Sequence, residues 1–274
     1  MSSSTVRVLT INLWALGGDW SRRRKALSSG IVSVRPDLVA FAEAVKSELQ
    51  DTAAELVGPG FHLAYQTKNL MDDGICAAVA SRWPLGDVHE LDQRITSRTL
   101  DYRAATLIVE VEAPPSIGPI LFVNHNPSWR YELEFERERQ AVVAARWVEE
   151  FLAAQPMHAV LAGDLNAVPE AASIRFLSGL QSLEGLSVSY RDAWAALHPD
   201  DPGHTFSLRN PLMTVESNVR QELSRRIDYI FVRCDERGPT LAISSCSLAF
   251  DQPIDSIWAS DHLGVVADLA VARA

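Results

Sequence analysis

Asp164 and Asn166 stand two residues apart at the end of an apolar run, Ala159-Val160-Leu161-Ala162, with Gly163 at the junction. The run reads as a strand, and the glycine lets the backbone turn or approach a ligand closely. A carboxylate and an amide leaving a strand end together suit a hydrated divalent cation and a phosphate oxygen. The same residue types also favour turns and helix caps. Polar residues of matching chemistry at other strand ends decide between the two readings.

Such residues are present. Asn12 follows the β-branched run of residues 6–11, and Glu43 follows the compact run of residues 38–42. Ile120-Leu121-Phe122-Val123 runs into Asn124-His125-Asn126-Pro127. Asp228 stands near the start of the run 227–232, and Asp261 and His262 precede the run 263–269. Each has a plainer use: an amide tied to a loop, a glutamate favouring a helix N-terminus, a histidine satisfied in the core. Antiparallel neighbours, however, put the end of one strand beside the start of the next. Asn12, Glu43, His125, Asp164, Asn166, Asp228, Asp261 and His262 can therefore meet on one rim. Carboxylates for a hard cation, imidazoles for proton transfer and amides for phosphate oxygens fit metal-assisted phosphoester hydrolysis.

The elements that must carry these residues follow from periodicity. Leu27, Ile31 and Val34 form a core-facing stripe of a helix over residues 22–34. Its opening cations, Arg22 to Lys25, oppose the helix dipole and read as a solvated face or as a patch for an anionic substrate. A helix after Glu43 places Leu49, Ala53 and Leu56 on one face. A long helix over residues 132–154 lines Val143, Trp147 and Phe151 on one side, and a short one over 171–180 turns Ile174, Leu177 and Leu180 inward. Residues 61–66, 74–81, 104–111 and 240–250 read as further strands. Residues 190–224 read as a long loop with Arg209 and Arg220, and with Arg225 and Arg226 just beyond, either a solvated variable loop or a substrate-recognition rim. Strands outnumber helices and often come consecutively, which points to an α/β layered sandwich with mixed sheets.

The 274 residues, 47% hydrophobic, are ample for a sizeable core. We expect a single domain over residues 1–274, with residues 1–5 as a short polar leader. The net charge of −10 disfavours extended contact with a polyanion. Cys76, Cys234 and Cys246 lack metal spacing and read as small apolar residues in a reducing compartment. No run is long and apolar enough to span a bilayer, so a cytoplasmic location is expected.

In chain order, Asn12, Ala42-Glu43, His125, Gly163-Asp164-Leu165-Asn166, Arg226-Ile227-Asp228-Tyr229 and Ser260-Asp261-His262 resemble the motifs of the endonuclease/exonuclease/phosphatase superfamily. This is the fold of deoxyribonuclease I, the major apurinic endonucleases, neutral sphingomyelinases and inositol polyphosphate 5-phosphatases. The resemblance spans residues 6–269. It implies a four-layered α/β sandwich, with two packed mixed β-sheets flanked by helices. It also implies hydrolysis of a phosphate ester by in-line attack of water, with Mg2+ as cofactor and Mn2+ as a substitute. By the same resemblance Glu43 is the principal metal ligand, with Asn12 and Asp261 nearby. Asp164 orients or deprotonates the attacking water. Asn12, Asn166 and His262 contact the phosphate, and Asp228 orients His262. His125 matches the second histidine of the deoxyribonuclease and sphingomyelinase branches and would protonate the leaving oxygen. Arg103 matches an arginine near the site.

The chain departs from the pattern in three places. Ala42 replaces the glutamine that commonly precedes the metal-binding glutamate. Trp14 stands where apurinic endonucleases carry an acidic residue. No carboxylate partner for His125 is evident beyond the candidates Asp72 and Asp73. The expected function is a metal-dependent phosphoesterase acting on a small-molecule or lipid-derived phosphate. A nuclease of the same mechanism is the alternative, and a non-catalytic binding module the third reading. Trp14, Trp20 and Trp129 are available to stack on a base, sugar or acyl chain, or to pack the core.

Overall fold

The computed structural model describes residues 5–68, 70–101, 104–215 and 223–271. Residues 1–4 of the expected leader, Arg103 and Arg220 lie outside these. The first half of the chain runs β1 (Thr5–Asn12), α1 (Trp20–Val34), β2 (Leu38–Val45), α2 (Thr52–Val57), β3 (His62–Tyr65), β4 (Ile75–Ser81), β5 (Leu85–Asp92), β6 (Ala105–Val111) and β7 (Ile120–Asn126). The second half runs α3 (Glu134–Ala154), β8 (His158–Asp164), α4 (Ala172–Leu177), β9 (Tyr190–Asp192), α5 (Ala193–Leu197), α6 (Leu212–Val215), β10 (Asp228–Asp235), β11 (Gly238–Pro239), β12 (Ala242–Ala249) and β13 (Gly264–Ala270).

Among the described residues the strands form two mixed sheets. One is ordered β12-β13-β1-β2-β4-β3, the other β11-β10-β8-β7-β6-β5, with β9 also on β10. Two pairs are parallel, β1 with β2 and β7 with β8, and a helix connects each: α1 in the first sheet, α3 in the second. The remaining pairs are antiparallel, so strand ends and strand starts share an edge as expected.

Side-chain alternation along each strand defines the layers. Val6, Val8, Leu38, Ala40, Leu107, Val109, Phe122, Val160, Ala162, Ile230 and Val232 fill the core between the sheets. Leu9, Ile11, Val39 and Phe41 pack outward against Ala26, Leu27 and Ile31 of α1. Leu121, Val123, Ala159, Leu161, Tyr229 and Phe231 pack outward against Ala141, Val142, Ala145, Val148 and Leu152 of α3. Burial of each large apolar side chain in these layers contributes roughly 1.5–3 kcal/mol, which fixes the strand ends relative to one another.

The details differ from the periodicity in places. The strand β2 continues through Glu43 to Val45, so no helix begins at Glu43, and Leu49 is exposed. The inward stripe of α3 is Ala141, Val142, Ala145, Val148 and Leu152, and Val143 lies off it, exposed. Trp147 and Phe151 instead stack at 5.1 Å beside His89 of β5, an edge strand whose polar alternation hid it in the sequence. Leu180 lies past α4 and is exposed. The expected loop 190–224 contains β9, α5 and α6.

Candidate active site

The same alternation aims the polar strand ends. Asn12 continues the inward row of Val6 and Val8, Asp164 that of Val160 and Ala162, and Asp228 that of Ile230 and Val232. All three therefore point between the sheets at one edge. Asp228 of β10 pairs in register with Asp164 of β8.

Glu43 reaches the same place by a bulge. The β2–β4 register jumps from Phe41 opposite Ala78 to Ala44 opposite Cys76. Glu43 has φ +52°, the left-handed region. A bulge of this kind re-aims a side chain. Without it, alternation would turn Glu43 toward the helix layer.

Asn12 ties the two carboxylates together. Its Nδ2 donates to Glu43 Oε1 at 3.2 Å and to Asp164 Oδ2 at 3.0 Å. Its Oδ1 accepts from the Trp14 backbone N–H at 2.8 Å, which fixes the amide's orientation. Asn12 thus turns its nitrogen toward the two carboxylates. The left-handed turn at Trp14 and Ala15 is held by Arg23, which is 2% exposed. Its guanidinium donates to the carbonyls of Leu13, Gly17 and Ala259 and lies 4.6 Å from the Trp14 ring. Of the cations at the start of α1, this one is structural rather than solvated.

Gly163 is required next to Asp164. Its φ is +147°, and a Cβ there would fall 2.2 Å from the His125 carbonyl oxygen. Asp164 accepts from the backbone N–H of Asn166 at 3.1 Å. Its own N–H donates to Asn126 Oδ1 at 3.2 Å. Burial, and then the nearby Asp228 charge, push its carboxyl up to about 7.

His262 stands between two carboxylates. Its Nδ1 lies 3.0 Å from Asp228 Oδ2 and its Nε2 4.0 Å from Asp164 Oδ2. Burial alone would lower its pKa, but Asp228 and Asp164, with Asp261, hold it well above the ordinary value. The three carboxylates thus favour the charged imidazole, which packs 4.9 Å from the Phe206 ring. Thr205 Oγ1 accepts the backbone N–H groups of Ile227 and Asp228, fixing the start of β10. Ser260 Oγ lies 2.7 Å from the Asn12 carbonyl and 3.1 Å from Asp261 Oδ1.

Asn12, Glu43, Asp164, Asn166, Asp261 and His262 line one cavity of about 570 Å3, and Asp228 sits behind His262. His125 does not join them. It follows Leu121 and Val123 on the α3 face of β7, 1% exposed, with Nδ1 2.7 Å from Thr106 Oγ1. Thr106, not Asp72 or Asp73, is its partner. Burial lowers the His125 pKa to about 3, so it is neutral and cannot supply a proton to a leaving group in the cavity. The residue that β7 sends to the cavity is its neighbour Asn126, with Asn124 behind it. The two-residue rhythm Phe122, Asn124, Asn126 was the signal that the histidine obscured. Arg226 is likewise not at the rim: it is buried against Asp192 at 2.5 Å, whereas Arg225 lines the mouth between Tyr131 and Phe206. Arg103 lies outside the described residues.

The donor set fits a hard divalent cation. Glu43 and Asp261 add carboxylate oxygens to a cavity in which burial already raises the Asp164 and Asp261 pKa values. A cation offsets that crowding of negative charge. Asp164, Asp228 and His262 also offer possible ligand atoms within 4.8 Å of one another, with His262 Nδ1 engaged by Asp228.

Comparison with known proteins bears on the family and the fold. The model of the Endonuclease/Exonuclease/phosphatase family matches residues 9–262. No curated protein matches by sequence. Among solved structures, D. rerio TDP2 complexed with single strand DNA product is 18% identical, covering 98% of this chain and 100% of that one at a TM-score of 0.75. Truncated Caenorhabditis elegans TDP2 is 20% identical over 97% of this chain and 98% of that one, also at 0.75. The human Nocturnin catalytic domain with bound sulfate anion is 17% identical over 98% and 95%, at 0.74. At these identities the likeness is one of fold. With the family model spanning nearly the whole chain, the protein belongs to the endonuclease/exonuclease/phosphatase family of metal-dependent phosphoester hydrolases.

Proposed function

We propose that this protein hydrolyses a small-molecule or lipid-derived phosphate ester, with Mg2+ as cofactor and Mn2+ as a substitute. The observation that carries the reading is the linked set Glu43–Asn12–Asp164 beside Asp228–His262, opening on one cavity. Glu43 and Asp261 would hold the cation, which when bound offsets charge on the phosphate and the leaving oxygen. Asp164, fixed by Asn12 and by the Asn166 backbone N–H, would take a proton from the attacking water. The His262 imidazolium, oriented by Asp228, faces the phosphate oxygens and stabilises the charge they gain. Asn126 and Asn166, both lining the cavity, supply amides for phosphate contact. A cavity of about 570 Å3 suits a small ligand, and the net charge of −10 opposes a long polyanion. The three free cysteines agree with a reducing compartment such as the cytoplasm.

A nuclease is the second reading. Trp129 and Tyr131 are about half exposed at the cavity mouth beside Arg225, an arrangement on which a base can stack. The TDP2 structure solved with a single strand DNA product supports it. A panel of sugar phosphates, inositol phosphates, prenyl phosphates, sphingomyelin and nucleic acids, with Mg2+ and with EDTA, tests both. Turnover of a small or lipid phosphate with no cleavage of nucleic acid supports the first reading. Salt-sensitive cleavage of DNA or RNA alone overturns it in favour of the second.

A further inference from the structure

We propose that Asn124 is a positioning residue for Glu43: acting from the opposite sheet, it holds the β2 bulge that aims this carboxylate into the cavity. The inference rests on Glu43 being a metal ligand. Asn124 lies on the inter-sheet face of β7, two residues after Phe122, and is fully buried. An amide in an apolar interface is unfavourable unless its donors and acceptor are used. All are used here. Its Nδ2 donates at 2.9 Å to the carbonyl of Phe41 and at 2.9 Å to that of Ala78. Its Oδ1 accepts from Asn126 Nδ2 at 2.9 Å. Two carbonyl acceptors on one side fix which way the amide faces.

The choice of carbonyls identifies the role. Phe41 and Ala78 are the last pair in register before the β2–β4 ladder skips to Ala44 and Cys76. A regular ladder points its carbonyls within the sheet at the neighbouring strand. At this pair both carbonyls accept from a side chain of the facing sheet. Asn124 therefore clamps the edge of the bulge, and Glu43, two residues beyond Phe41, takes its left-handed conformation without a glycine. The chain of bonds continues: Asn126 Oδ1 accepts the Asp164 N–H at 3.2 Å. Asn124 and Asn126 together thus link the backbone at the β2 bulge on one sheet to the backbone of Asp164 on the other.

The test is Mn2+ affinity, read by electron paramagnetic resonance of the substrate-free protein, alongside thermal unfolding. Asn124→Leu keeps the volume and removes the clamp. It should weaken Mn2+ binding roughly 10- to 100-fold, as loss of an outer support for a ligand does. Asn124→Thr keeps one donor, should fall between, and carries the test if the leucine variant does not fold. Thr106→Val perturbs a buried polar contact on the other face of the same sheet and should lower stability while leaving Mn2+ affinity as in wild type. Wild-type Mn2+ affinity in folded Asn124→Leu or Asn124→Thr would overturn the proposal, as would an equal loss in Thr106→Val. Because no substrate is present, the outcome separates from the proposed reaction. Normal metal binding with no turnover on the panel would sink the reaction and leave the clamp standing.

Discussion

The Nδ1 atom of His262 lies 3.0 Å from Oδ2 of Asp228, in a pair from which solvent is almost excluded. The second Asp228 oxygen is buried and makes no hydrogen bond. The carboxylate's interaction is thus directed at the imidazole, which it orients and whose charged form it favours. Asp228→Asn preserves the shape and removes the charge. The His262 pKa should then fall, read from its ring proton by NMR titration, and kcat should drop roughly 10^2- to 10^4-fold. An unchanged His262 titration in the variant would contradict this account of the pair.

Gly163→Ala should be damaging although it adds one methyl group. The methyl would meet the His125 carbonyl at a backbone conformation that only glycine adopts readily. The strain is expected to cost about 1–3 kcal/mol, and the shift in β8 to displace Asp164 and lower kcat. A variant with wild-type melting temperature and turnover would show that β8 can yield here at no cost.

His125 should govern acid sensitivity. In the folded protein it resists protonation down to about 3, whereas the unfolded chain takes up the proton near 6.5. Its contribution to stability is therefore complete above about pH 6.5 and declines as the pH falls from there toward 3. His125→Asn lacks the titration and should flatten the fall in unfolding free energy on acidification, measured by urea denaturation. Equal slopes in the two proteins would refute the assignment.

Arg226 should be a stability residue. It is buried against Asp192, which also caps α5 by accepting from Trp194 and Ala195. Arg226→Met leaves that carboxylate without its ion-pair partner and is expected to destabilise by roughly 3–5 kcal/mol. Adding Asp192→Asn should recover part of the loss. A double variant no more stable than Arg226→Met would place the loss in the arginine's other contacts, to the Pro202 carbonyl and the Tyr229 ring.

Apolar runs closed by polar residues made most strands and the converging edge legible, because strand alternation is a local property. The long-range choices were not. Nothing in Ala42-Glu43 marks a bulge, since its left-handed glutamate is supported by Asn12 and Asn124 from other strands. His125 drew notice as a histidine, yet counting alternate residues from Phe122 leads to Asn126. Arg23 read as one of four cations on a helix surface, and its burial depends on carbonyls presented by the turn after β1. Thr205 gave no motif, and it acts only because its loop folds back on the start of β10.

The central claim is that one cation-dependent cavity performs phosphoester hydrolysis. Hydrolysis of bis-p-nitrophenyl phosphate and p-nitrophenyl phosphate, followed with Mg2+ and with EDTA in wild type and in the Glu43→Ala/His262→Ala double variant, tests it most directly. The account predicts turnover in wild type with Mg2+, and none with EDTA or in the double variant. Turnover that persists in the double variant would contradict it.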